Sequence, residues 1–374
     1  MKILFVSTIS NTINAFLIPH IQLLLKQGHK VDIACNVEQE ISPLLINLGC
    51  KVHEIAFQRS PLNRDNFMAY QKIKRLVLSE EYELIHTHTP VASFLTRLAC
   101  KDISKIKILY TAHGFHFYKG APIINWLVYY PLEKLAARWT DGLITMNEED
   151  FNIAKKLQLR NRTKVYKVNG VGINFENFQP VTLEEKRELR KQYGYNGNDF
   201  ILIYAAELNY NKHQDLLIES IRILKDKIPH LKLLLAGSGQ FIDRYKEQIK
   251  RLNLGKNVHL LGYRDDIANL LKISDLAVSS SRREGLPVNV MEAMAVGLPL
   301  VVTDCRGNRD LVKNGQNGYV VGTNDGHGFA NAIEKIYFST DLKKAFGEES
   351  RKLVKTYSWE KVKEQMANIY LNEV

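Results

Sequence analysis

Short apolar runs alternate with longer amphipathic stretches along most of the chain. The runs of the first half are "KILFVS", "KVDIAC", "LIHTH", "KILYTAH" and "GLITM", and those of the second half are "FILIYAAE", "LKLLLAGSG", "VHLLG", "LAVSSS", "PLVVTD" and "GYVV". Nearly continuous apolar runs rich in β-branched residues are typical of strands buried on both faces of a sheet. Because the runs alternate with helical stretches, the pattern predicts an α/β fold with two doubly wound parallel sheets, one in each half.

The two halves meet in a segment of different composition, "VNGVGINFENFQPVTLEEKRELRKQYGYNGNDF". It is rich in Asn, Gly and Pro and then strongly charged, as surface turns and linkers are. A chain of 374 residues is long enough for two domains of ordinary size. We therefore predict a first domain over residues 1–175 and a second over residues 180–357, followed by an amphipathic helix at residues 358–374.

Composition places the chain among ordinary globular proteins, since 45% of its residues are hydrophobic and 24% are charged. The apolar start turns polar after "MKILFV", sooner than in a signal peptide, and no run of about 20 apolar residues predicts a membrane-spanning helix. The four cysteines lack the spacing of a metal site or a disulfide framework. We therefore expect a cytoplasmic protein with reduced thiols.

The formal net charge of +11 suggests an anionic partner, although solubility alone also explains it. Nucleic acid, a phosphorylated substrate and an anionic membrane surface all suit this sign. The sequence contains neither a basic motif interleaved with aromatic residues nor a helix-turn-helix pattern. No nucleic-acid partner is therefore expected.

The segment "SRREGLPVNVMEAMAVGLP" carries Glu284 and Glu292 around a predicted helix start. Pro287 suits the first turn of that helix, and Gly297 suits its end. Eight helical residues separate the carboxylates by up to roughly 12 Å, whereas two acids acting on one glycosidic bond stand about 5–9.5 Å apart. The spacing favours two acids that bind opposite ends of an extended ligand, with the helix N-terminus free to bind phosphate between them. Two ordinary surface glutamates are the alternative.

Three further segments of the second half place polar residues after predicted strands, where doubly wound sheets bind ligands. In "AAELNYNKHQ", Lys212 is positioned to meet a diphosphate as a point charge, unless it is a solvated lysine. In "LLLAGSGQ", Gly237 and Gly239 permit close approach of a phosphate, although a plain tight turn explains them at least as well. In "LLGYRDD", Tyr263 and Arg264 are candidates for bordering a nucleobase.

Histidines follow two predicted strands of the first half. His86 and His88 stand on "LIHTH" and are expected to point to opposite faces, so that one approaches the ligand edge, unless both are packed histidines. His113 and His116 flank "GF" in "TAHGFHFYKG" and are candidate ligand contacts. Glu149, after "GLITM", is a further candidate, although it also suits the start of a helix.

The stretch "YKGAPIINWLVYYPLEKLAARW", residues 118–139, is apolar and aromatic with basic residues at its margins. It is too short to span a bilayer. Two alternatives remain: a helix buried in the core, or a helix seated at a lipid headgroup boundary by its Trp and Tyr side chains.

The segment "EGLPVNVMEAMAVGLPLVVTD" resembles the E-x7-E signature of retaining glycosyltransferases with the two-Rossmann GT-B fold, the large family 4 group. "GHKV", "VNGVGINFENFQP", "DLVKNGQNGYVV" and "YSWE" fit that group in the same order, so the resemblance covers nearly the whole chain. "TAHGFHFYKG" and "AELNYNKHQ" are similar to the branch that builds bacterial capsular and exopolysaccharide repeat units. The resemblance implies a first domain that binds the acceptor, a second that binds the donor, and a C-terminal helix that returns to the first.

The resemblance implies transfer of a sugar from a UDP-sugar to a saccharide acceptor with retention of configuration. It implies no bound metal, no other cofactor and no obvious enzyme base, because the donor diphosphate assists the acceptor hydroxyl on the same face. The implied acceptor is a polyprenyl-diphosphate-linked saccharide at the inner face of the cytoplasmic membrane, with which the protein associates peripherally. That location agrees with the basic charge and with the apolar stretch at residues 118–139.

Residue roles follow from the same resemblance. Glu284 matches the residue that meets the donor-sugar hydroxyls, Glu292 the residue that meets the ribose, Lys212 a phosphate-binding lysine, and His113 a histidine near the reacting sugar. Together with the candidates above, the expected site residues are His113 and Glu284 for catalysis; Lys212, Gly237, Gly239, Tyr263, Arg264, Gly285, Leu286, Pro287, Val288, Asn289 and Glu292 for the donor; and His88, His116 and Glu149 for the acceptor.

Two departures from the family pattern bear on the site. Glu207, also a donor-site candidate, stands where most members have an arginine, and an acid there repels phosphate unless it turns away or pairs with a base such as Lys212. "STISNTINAF" replaces the usual glycine-rich loop after the first strand, so Ser10, Asn11 and Thr12 are candidates to hydrogen-bond the acceptor.

Two other functions fit some of these features. A nucleotide-sugar epimerase also uses two facing Rossmann domains, and it would convert a UDP-sugar without any acceptor. A non-catalytic protein that binds a membrane or nucleic acid would show no turnover.

Overall fold

The structure, a computed structural model, describes residues 1–160 and 164–373 of the chain. It divides into two compact units, Met1–Gly172 with Trp359–Val374, and Ile173–Ser358. Within the described residues the first unit contains a seven-stranded sheet and the second a six-stranded sheet. Every pair of neighbouring strands in both sheets is parallel, which confirms the predicted α/β architecture.

The first unit alternates strands and helices along the chain. Its strands are β1 (Lys2–Ile9), β2 (Lys30–Asn36), β3 (Val52–Glu54), β4 (Leu84–His88), β5 (Lys107–Ala112), β6 (Gly142–Thr145) and β7 (Val165–Lys167). Its first helices are α1 (Ser10–Thr12), α2 (Ile18–Lys26), α3 (Pro43–Asn47), α4 (Asp65–Ser79), α5 (Pro90–Ala99), α6 (Ile123–Ala137) and α7 (Glu148–Ala154). The strand order is β3-β2-β1-β4-β5-β6-β7, so the direction in which successive parallel strands are added to the sheet reverses between β1 and β4, the switch point where such sheets bind ligands.

The segment after β1 is helical from its first residue. A π-helical turn, Ile13–Leu17, joins α1 to α2. Pro19 lies in the first turn of α2 and has no N–H to donate to the carbonyl of residue 15, so the regular α-helical ladder is interrupted there. Because α1 begins at Ser10, directly after the last residue of β1, no loop separates the strand from the helix, and Ser10–Thr12 lie at the strand end.

The second unit repeats the arrangement. Its strands are β8 (Phe200–Ala205), β9 (Leu231–Ala236), β10 (Val258–Gly262), β11 (Leu276–Ser279), β12 (Leu300–Thr303) and β13 (Gly318–Val321). Its helices are α8 (Leu183–Gln192), α9 (Gln214–Leu224), α10 (Ile242–Arg251), α11 (Ile267–Ile273), α12 (Val288–Val296), α13 (Asn308–Leu311), α14 (Gly326–Phe338) and α15 (Thr340–Leu353), followed by a 3-10 turn at Val354–Tyr357. The order β10-β9-β8-β11-β12-β13 puts the switch point between β8 and β11.

The last helix, α16 (Trp359–Glu373), packs in the first unit although it follows the second in sequence. Glu373 is fully buried and accepts hydrogen bonds at 2.9 Å from both Lys164 Nζ and Tyr166 Oη. Lys107 Nζ donates to its carbonyl oxygen at 2.8 Å. These contacts hold α16 against the edge of the first sheet formed by β5–β7.

Candidate active site

Two loops meet at the switch point of the second sheet, one after β8 and the other after β11. Lys212 Nζ lies 2.5 Å from Glu284 Oε1, and Ser281 Oγ donates a 2.5 Å hydrogen bond to the same oxygen. The hydroxyl groups of Tyr204 and Ser281 are 2.6 Å apart. The Lys212 and Glu284 side chains are only 21% and 10% exposed, so their ion pair is shielded from solvent. The two residues thus lie together beyond the carboxyl ends of β8 and β11, where a ligand is expected.

Contacts between the loops fix their relative position. Ser280 Oγ donates to the Lys212 carbonyl at 2.7 Å, and Arg282 N donates to the Asn211 carbonyl at 2.8 Å. His213 has a φ of +54°, a left-handed conformation that costs a non-glycine residue roughly 1 kcal/mol or more. Such a conformation persists only where the surroundings impose it, so the loop holds Lys212 in a fixed direction.

Burial and charge act in opposite directions on Lys212. Burial is the largest single effect and lowers the pKa of its ammonium group. The charge and hydrogen bond of Glu284, with smaller contributions from Tyr204 and Cys305, together raise the pKa by more, so it lies above its ordinary value. Lys212 is therefore a cation at neutral pH, and a phosphate group that enters the site meets a full positive charge.

Glu292, on α12, is the second acid of the signature. It is half-buried and makes no hydrogen bond or ion pair with any residue that the structure describes. Burial raises the pKa of its carboxyl group to about 7. A carboxyl group that loses hydration without gaining a protein partner is a candidate for binding hydroxyl groups of a ligand.

Residues 285–289 lead from the first acid into α12 and are packed on both sides. Asn289 Nδ2 donates to the Ala205 carbonyl at 3.0 Å, which ties the first turn of α12 to the end of β8. Gly307 has a φ of +77°, and a Cβ atom there would lie 2.4 Å from the carbonyl oxygen of Gly285. The loop after β12 therefore packs directly on this segment, and Gly307 is required for that close approach.

The start of α12 carries backbone donors, of which Val290 N is paired with Asn289 Oδ1 at 3.0 Å. Leu286 and Pro287 are buried, Pro287 is the N-cap, and Val288 is the first helical residue. The first N–H groups of a helix have no partner within it and carry a partial positive charge. They lie between Glu284 and Glu292 along the chain, which is the arrangement expected for binding a phosphate between two hydroxyl-bearing groups.

Two arginines that the sequence patterns did not single out lie next to Glu284. Arg306 is buried, and its Nε donates to the Glu284 carbonyl at 2.8 Å. The guanidinium group of Arg283 makes no hydrogen bond or ion pair within the described part of the chain. Arg283 adjoins the signature glutamate, so its sequence position alone was a usable signal. Arg306 comes from a loop more distant in sequence, and no pattern pointed to it.

Glu207 is exposed, and its carboxylate pairs with no described residue. Lys212 pairs with Glu284 and not with Glu207. An acid at this position avoids repelling a phosphate if it turns away or pairs with a base. The structure shows the first of these, because the Glu207 side chain is directed to solvent.

Two further donor candidates, Gly237 and Gly239, are explained by backbone packing without a ligand. A Cβ atom at Gly237 would lie 2.0 Å from the carbonyl oxygen of Ala206, and one at Gly239 would lie 2.3 Å from that of Leu208. Both glycines are therefore required by backbone packing between the loops after β8 and β9. Their contact with a donor stays a prediction.

Tyr263 and Arg264 follow β10, the edge strand, two strands away from β8. Tyr263 is 82% exposed. Arg264 Nη2 lies 2.5 Å from Asp266 Oδ2, and this hydrogen bond, stronger than the effect of burial, lowers the pKa of Asp266 to about 2. Contact of Tyr263 and Arg264 with a nucleobase stays a prediction.

Three histidines cluster at the switch point of the first sheet. The ring centroids of His86 and His88 are 4.2 Å apart, and His88 Nδ1 lies 3.1 Å from His113 Nε2. The expectation that His86 and His88 point to opposite faces was wrong, because side chains alternate along a strand and residues two apart share a face. His86 is held by the hydroxyls of Tyr370 at 2.9 Å and Thr111 at 2.8 Å, so it is a packed histidine.

The imidazole rings of this cluster are uncharged at neutral pH. Burial lowers the pKa of His86 and His88 well below the ordinary value and lowers that of His113 to about 4. One ring nitrogen of His113 faces His88, and the other has no hydrogen-bond partner among the described residues. His113 can therefore exchange a hydrogen bond with a ligand but cannot offer it a positive charge.

A pocket of about 400 Å³, here called the polar pocket, opens at the ends of β1 and β4. Its lining residues are Thr8, Ile9, Thr12, Arg59, Pro61, Thr89, Pro90, Val91, His116 and Tyr129. Thr89 has a φ of +65°, which is an outlier for a β-branched residue. Strain of this kind concentrates at functional sites. The polar pocket is thus the candidate acceptor site of the first unit.

The other acceptor candidates divide into two groups. Thr12 lines the polar pocket, and the buried Oδ1 atom of Asn11 has no hydrogen-bond partner within residues 1–160 and 164–373. Ser10 instead accepts a 3.0 Å hydrogen bond from Gln39 N, and Glu149 Oε1 accepts one of 2.5 Å from Lys119 N. Ser10 and Glu149 therefore hold neighbouring backbone.

The apolar stretch at residues 118–139 forms α6, whose outer face is exposed. Ile124 and Leu127 are 61% and 68% exposed. The other exposed large apolar residues of this helix are Ile123, Trp126, Val128, Leu132 and Leu135. The alternative of a helix buried in the core is therefore wrong for this face, and an exposed apolar face of this extent is typical of an interaction surface.

No described helix combines the length and the hydropathy needed to cross a membrane. Groups of three or more His, Cys, Asp or Glu side chains arranged to hold a metal ion are likewise absent from the described residues. All four cysteines are buried and unpaired.

Comparison with known proteins identifies the family of the chain. The pattern of the family "Glycosyl transferases group 1" matches residues 185–353, and that of "Glycosyl transferase 4-like" matches residues 2–147. EpsD of Bacillus subtilis (strain 168), named as a glycosyltransferase, is 40% identical over 99% of this chain and 96% of its own length. The UDP-Gal:α-D-GlcNAc-diphosphoundecaprenol α-1,3-galactosyltransferase of Escherichia coli is 31% identical over 70% of this chain and 68% of its own.

The fold has a close counterpart among solved structures. The crystal structure of Anabaena Alr3699/HepE in complex with UDP and glucose matches with a TM-score of 0.81 and 21% identity, over 100% of both chains. The protein is therefore a glycosyltransferase with the two-domain GT-B fold. It belongs to the glycosyl transferases group 1 family, family 4 of these enzymes, in the branch of capsular and lipid-linked saccharide synthesis.

Proposed function

We propose that the protein transfers a sugar, with retention of configuration, from a UDP-sugar to a polyprenyl-diphosphate-linked saccharide at the cytoplasmic face of the membrane. The observation that supports the donor most strongly is the shielded Lys212–Glu284 pair beside the start of α12, with the unpartnered Glu292 further along that helix. The Escherichia coli relative is named for UDP-Gal and a diphosphoundecaprenol acceptor, and the HepE crystal contains UDP and glucose.

The donor binds along the start of α12. Glu292 accepts hydrogen bonds from the ribose hydroxyls, and the N-terminal N–H groups of α12 and Lys212 bind the diphosphate. Glu284 accepts hydrogen bonds from hydroxyls of the sugar. The sugar hydroxyls replace Lys212 as partners of Glu284, which frees the ammonium group for the diphosphate. Arg283 supplies a second cation in place of the arginine that this chain lacks at Glu207.

Transfer then proceeds on one face of the sugar. The acceptor hydroxyl forms a bond to the anomeric carbon as the bond from that carbon to the diphosphate oxygen breaks, and the hydroxyl proton passes to the departing diphosphate, which leaves as UDP. His113, neutral because its pKa is about 4, orients the sugar through a hydrogen bond. Lys212 and the dipole of α12 stabilise the negative charge on the leaving group, so no metal is required.

The donor is identified by screening UDP- and GDP-sugars for thermal stabilisation of the native protein. A ligand present at about 100 times its dissociation constant stabilises the native state by about 2.7 kcal/mol. We expect UDP-sugars to raise the melting temperature and GDP-sugars not to do so. Stabilisation by neither class rules out the proposed donor. Rapid conversion of the stabilising sugar without any acceptor identifies an epimerase instead.

Retention and metal independence are tested in one transfer assay. With an α-linked UDP-sugar, the product should carry an α-linkage in its anomeric proton coupling, and the rate should be unchanged within about twofold in excess EDTA, since Lys212 and the dipole of α12 provide the stabilising charge. A matched assay with added Mg²⁺ is the control. A β-linked product contradicts retention, and a rate restored only by Mg²⁺ contradicts metal independence.

Peripheral membrane binding is assigned to the outer face of α6, defined as Ile123, Ile124 and Leu127. We expect the protein to float with vesicles that contain anionic lipid, and the double variant Ile124→Ser/Leu127→Ser to lose most of that binding, since interfacial binding depends on buried apolar area. Phe338→Ser is the matched control, because Phe338 is a similarly exposed apolar residue of the second unit. Absence of flotation with and without anionic lipid refutes the assignment.

A further inference from the structure

A second cavity of the first unit, here called the apolar groove, lies between α6 and the segment before α4. It has a volume of about 280 Å³. Pro61 and Leu62 form one bank, Val128 and Leu132 of α6 form the other, and Phe115 contributes to the apolar lining between them. Leu62, Val128 and Leu132 are all exposed, so the groove is open to the surface along its rim.

Two polar side chains that line the groove, Glu133 and Asn66, already have hydrogen-bond partners. Glu133 forms a bidentate pair with the buried Arg97, with N–O distances of 2.6 and 3.2 Å. Arg97 also stacks on the ring of Tyr110, with its guanidinium carbon 4.2 Å from the ring centroid. Asn66 accepts from Gln58 N at 3.0 Å and donates to a backbone carbonyl at 2.8 Å. A peptide placed here would leave its own N–H and C=O groups unpaired, whereas a hydrocarbon chain would not.

The apolar groove is continuous with the polar pocket. The two share Pro61, Pro90, Val91, His116 and Tyr129. One end of the combined cavity thus presents threonine hydroxyls and a guanidinium group at the switch point, and the other end presents aliphatic and aromatic side chains. This polarity matches an amphiphilic ligand with a saccharide-diphosphate head and a hydrocarbon tail.

Arg59 stands on the polar side of this junction. Its side chain is 71% exposed, and its nearest acidic partner, Glu38, is 3.8 Å away. A guanidinium group that is so weakly engaged is available to a diphosphate. The outer face of α6 continues the apolar surface beyond the opposite rim.

We infer that the apolar groove binds the first isoprene units of the acceptor's polyprenyl chain, with the diphosphate at Arg59 and the saccharide in the polar pocket. The inference rests on the proposed lipid-linked acceptor. The cavity volume is slightly below the roughly 300–1,000 Å³ typical of small-molecule sites, so it holds only the part of the chain next to the head. The rest of the chain stays in the bilayer. Because the bilayer interior is as apolar as the groove, the groove positions the chain more than it attracts it from the membrane.

The test uses water-soluble acceptors with the same saccharide-diphosphate head and zero to four isoprene units. In wild-type protein we expect the acceptor KM to fall at least about tenfold over the first two units and then to level off, because hydrocarbon leaves water only until the groove is filled. Val128→Trp and Leu132→Trp fill the groove and should raise the KM for prenylated acceptors to that of the chainless acceptor, whose own KM should not change. Leu127→Trp, on the outer face of the same helix, should keep the dependence on chain length.

Binding is measured independently of turnover with a prenyl diphosphate that carries a photoreactive group on its second isoprene unit. Labelling of peptides from residues 61–66 and from α6 that is lost in Leu132→Trp supports binding of the prenyl chain in the groove. If this labelling is seen but no sugar is transferred, the proposed function fails and the inference about the groove stands. If the acceptor KM of wild-type protein does not depend on isoprene chain length, the inference that the groove binds the prenyl chain is wrong, and the proposed function stands. Equal labelling by a photoreactive phospholipid assigns the groove to membrane acyl chains and also overturns the inference.

Discussion

Glu284→Ala is expected to reduce sugar transfer more than about a thousandfold, at the upper end of the effect of removing one group that stabilises a transition state. Two losses combine in this variant. The sugar hydroxyls lose their acceptor, and Lys212 loses the partner that keeps its pKa raised against the effect of burial. An ammonium group left largely buried without a partner lowers the free energy of unfolding, here by roughly 1–3 kcal/mol because the side chain keeps partial contact with water. Radiolabelled transfer and thermal unfolding measure the two effects separately.

Two variants separate the contributions of charge and of shape at this position. Glu284→Gln keeps a hydrogen-bond acceptor for Ser281 and for the sugar but removes the negative charge, so its loss of activity should be smaller than that of alanine. Glu207→Ala is the matched control, because Glu207 is an exposed acid of the neighbouring loop without an ion pair, and it should change the rate by less than about threefold. Glu284→Ala with more than a tenth of wild-type turnover would contradict the role proposed for this carboxylate.

The sheets were largely predictable because their strands are buried on both faces. β1, with all but its first residue buried, is visible in the sequence as an uninterrupted apolar run. The pattern missed β3 and β7, which are three-residue strands at the edges of the first sheet and are only partly buried. Such strands carry no periodicity long enough to recognise, and their pairing depends on neighbours remote in sequence.

The meeting of Lys212 and Glu284 was also accessible from the sequence, since both follow strands that a doubly wound sheet places at one edge. Contacts that depend on the path of the backbone were not accessible. Gly237 and Gly239 have the appearance of a phosphate loop, whereas the structure shows that they admit the backbone of residues 206–208. Arg306 reaches Glu284 through a loop whose course no local pattern encodes.

Side-chain direction was the least secure part of the prediction in the first unit. His86 and His88 share a face because strand periodicity is two, and their rings therefore form one cluster with His113. The apolar stretch that became α6 has the composition of a core helix, and only its packing in the structure shows that one face is left exposed. Apolar composition thus predicted the helix but not which of its faces is buried.

Glu292→Gln is expected to stabilise the protein at pH 8 while weakening its donor binding. Burial raises the folded-state pKa of Glu292 from 4.5 to about 7, so the folded protein binds this proton more tightly than the unfolded chain does. Stability from this group is therefore lost as the pH rises from about 4.5 to 7. Above pH 7 the full shift corresponds to about 3 kcal/mol, which we reduce to roughly 1–3 kcal/mol because the carboxyl group is only half-buried.

Glutamine has the same shape and does not ionise, so the variant should escape this cost. The melting temperature of the second unit should rise by about 2–8 °C at pH 8 and should be unchanged at pH 4.5, whereas the donor KM should rise about tenfold or more because a charged acceptor of the ribose hydroxyls is lost. Calorimetry at the two pH values and a donor titration check both expectations. Glu207→Gln, an exposed glutamate of the same unit, should show neither change. A gain in stability that is equal at both pH values would show that ionisation of Glu292 is not its source, and an unchanged donor KM would remove Glu292 from the ribose site.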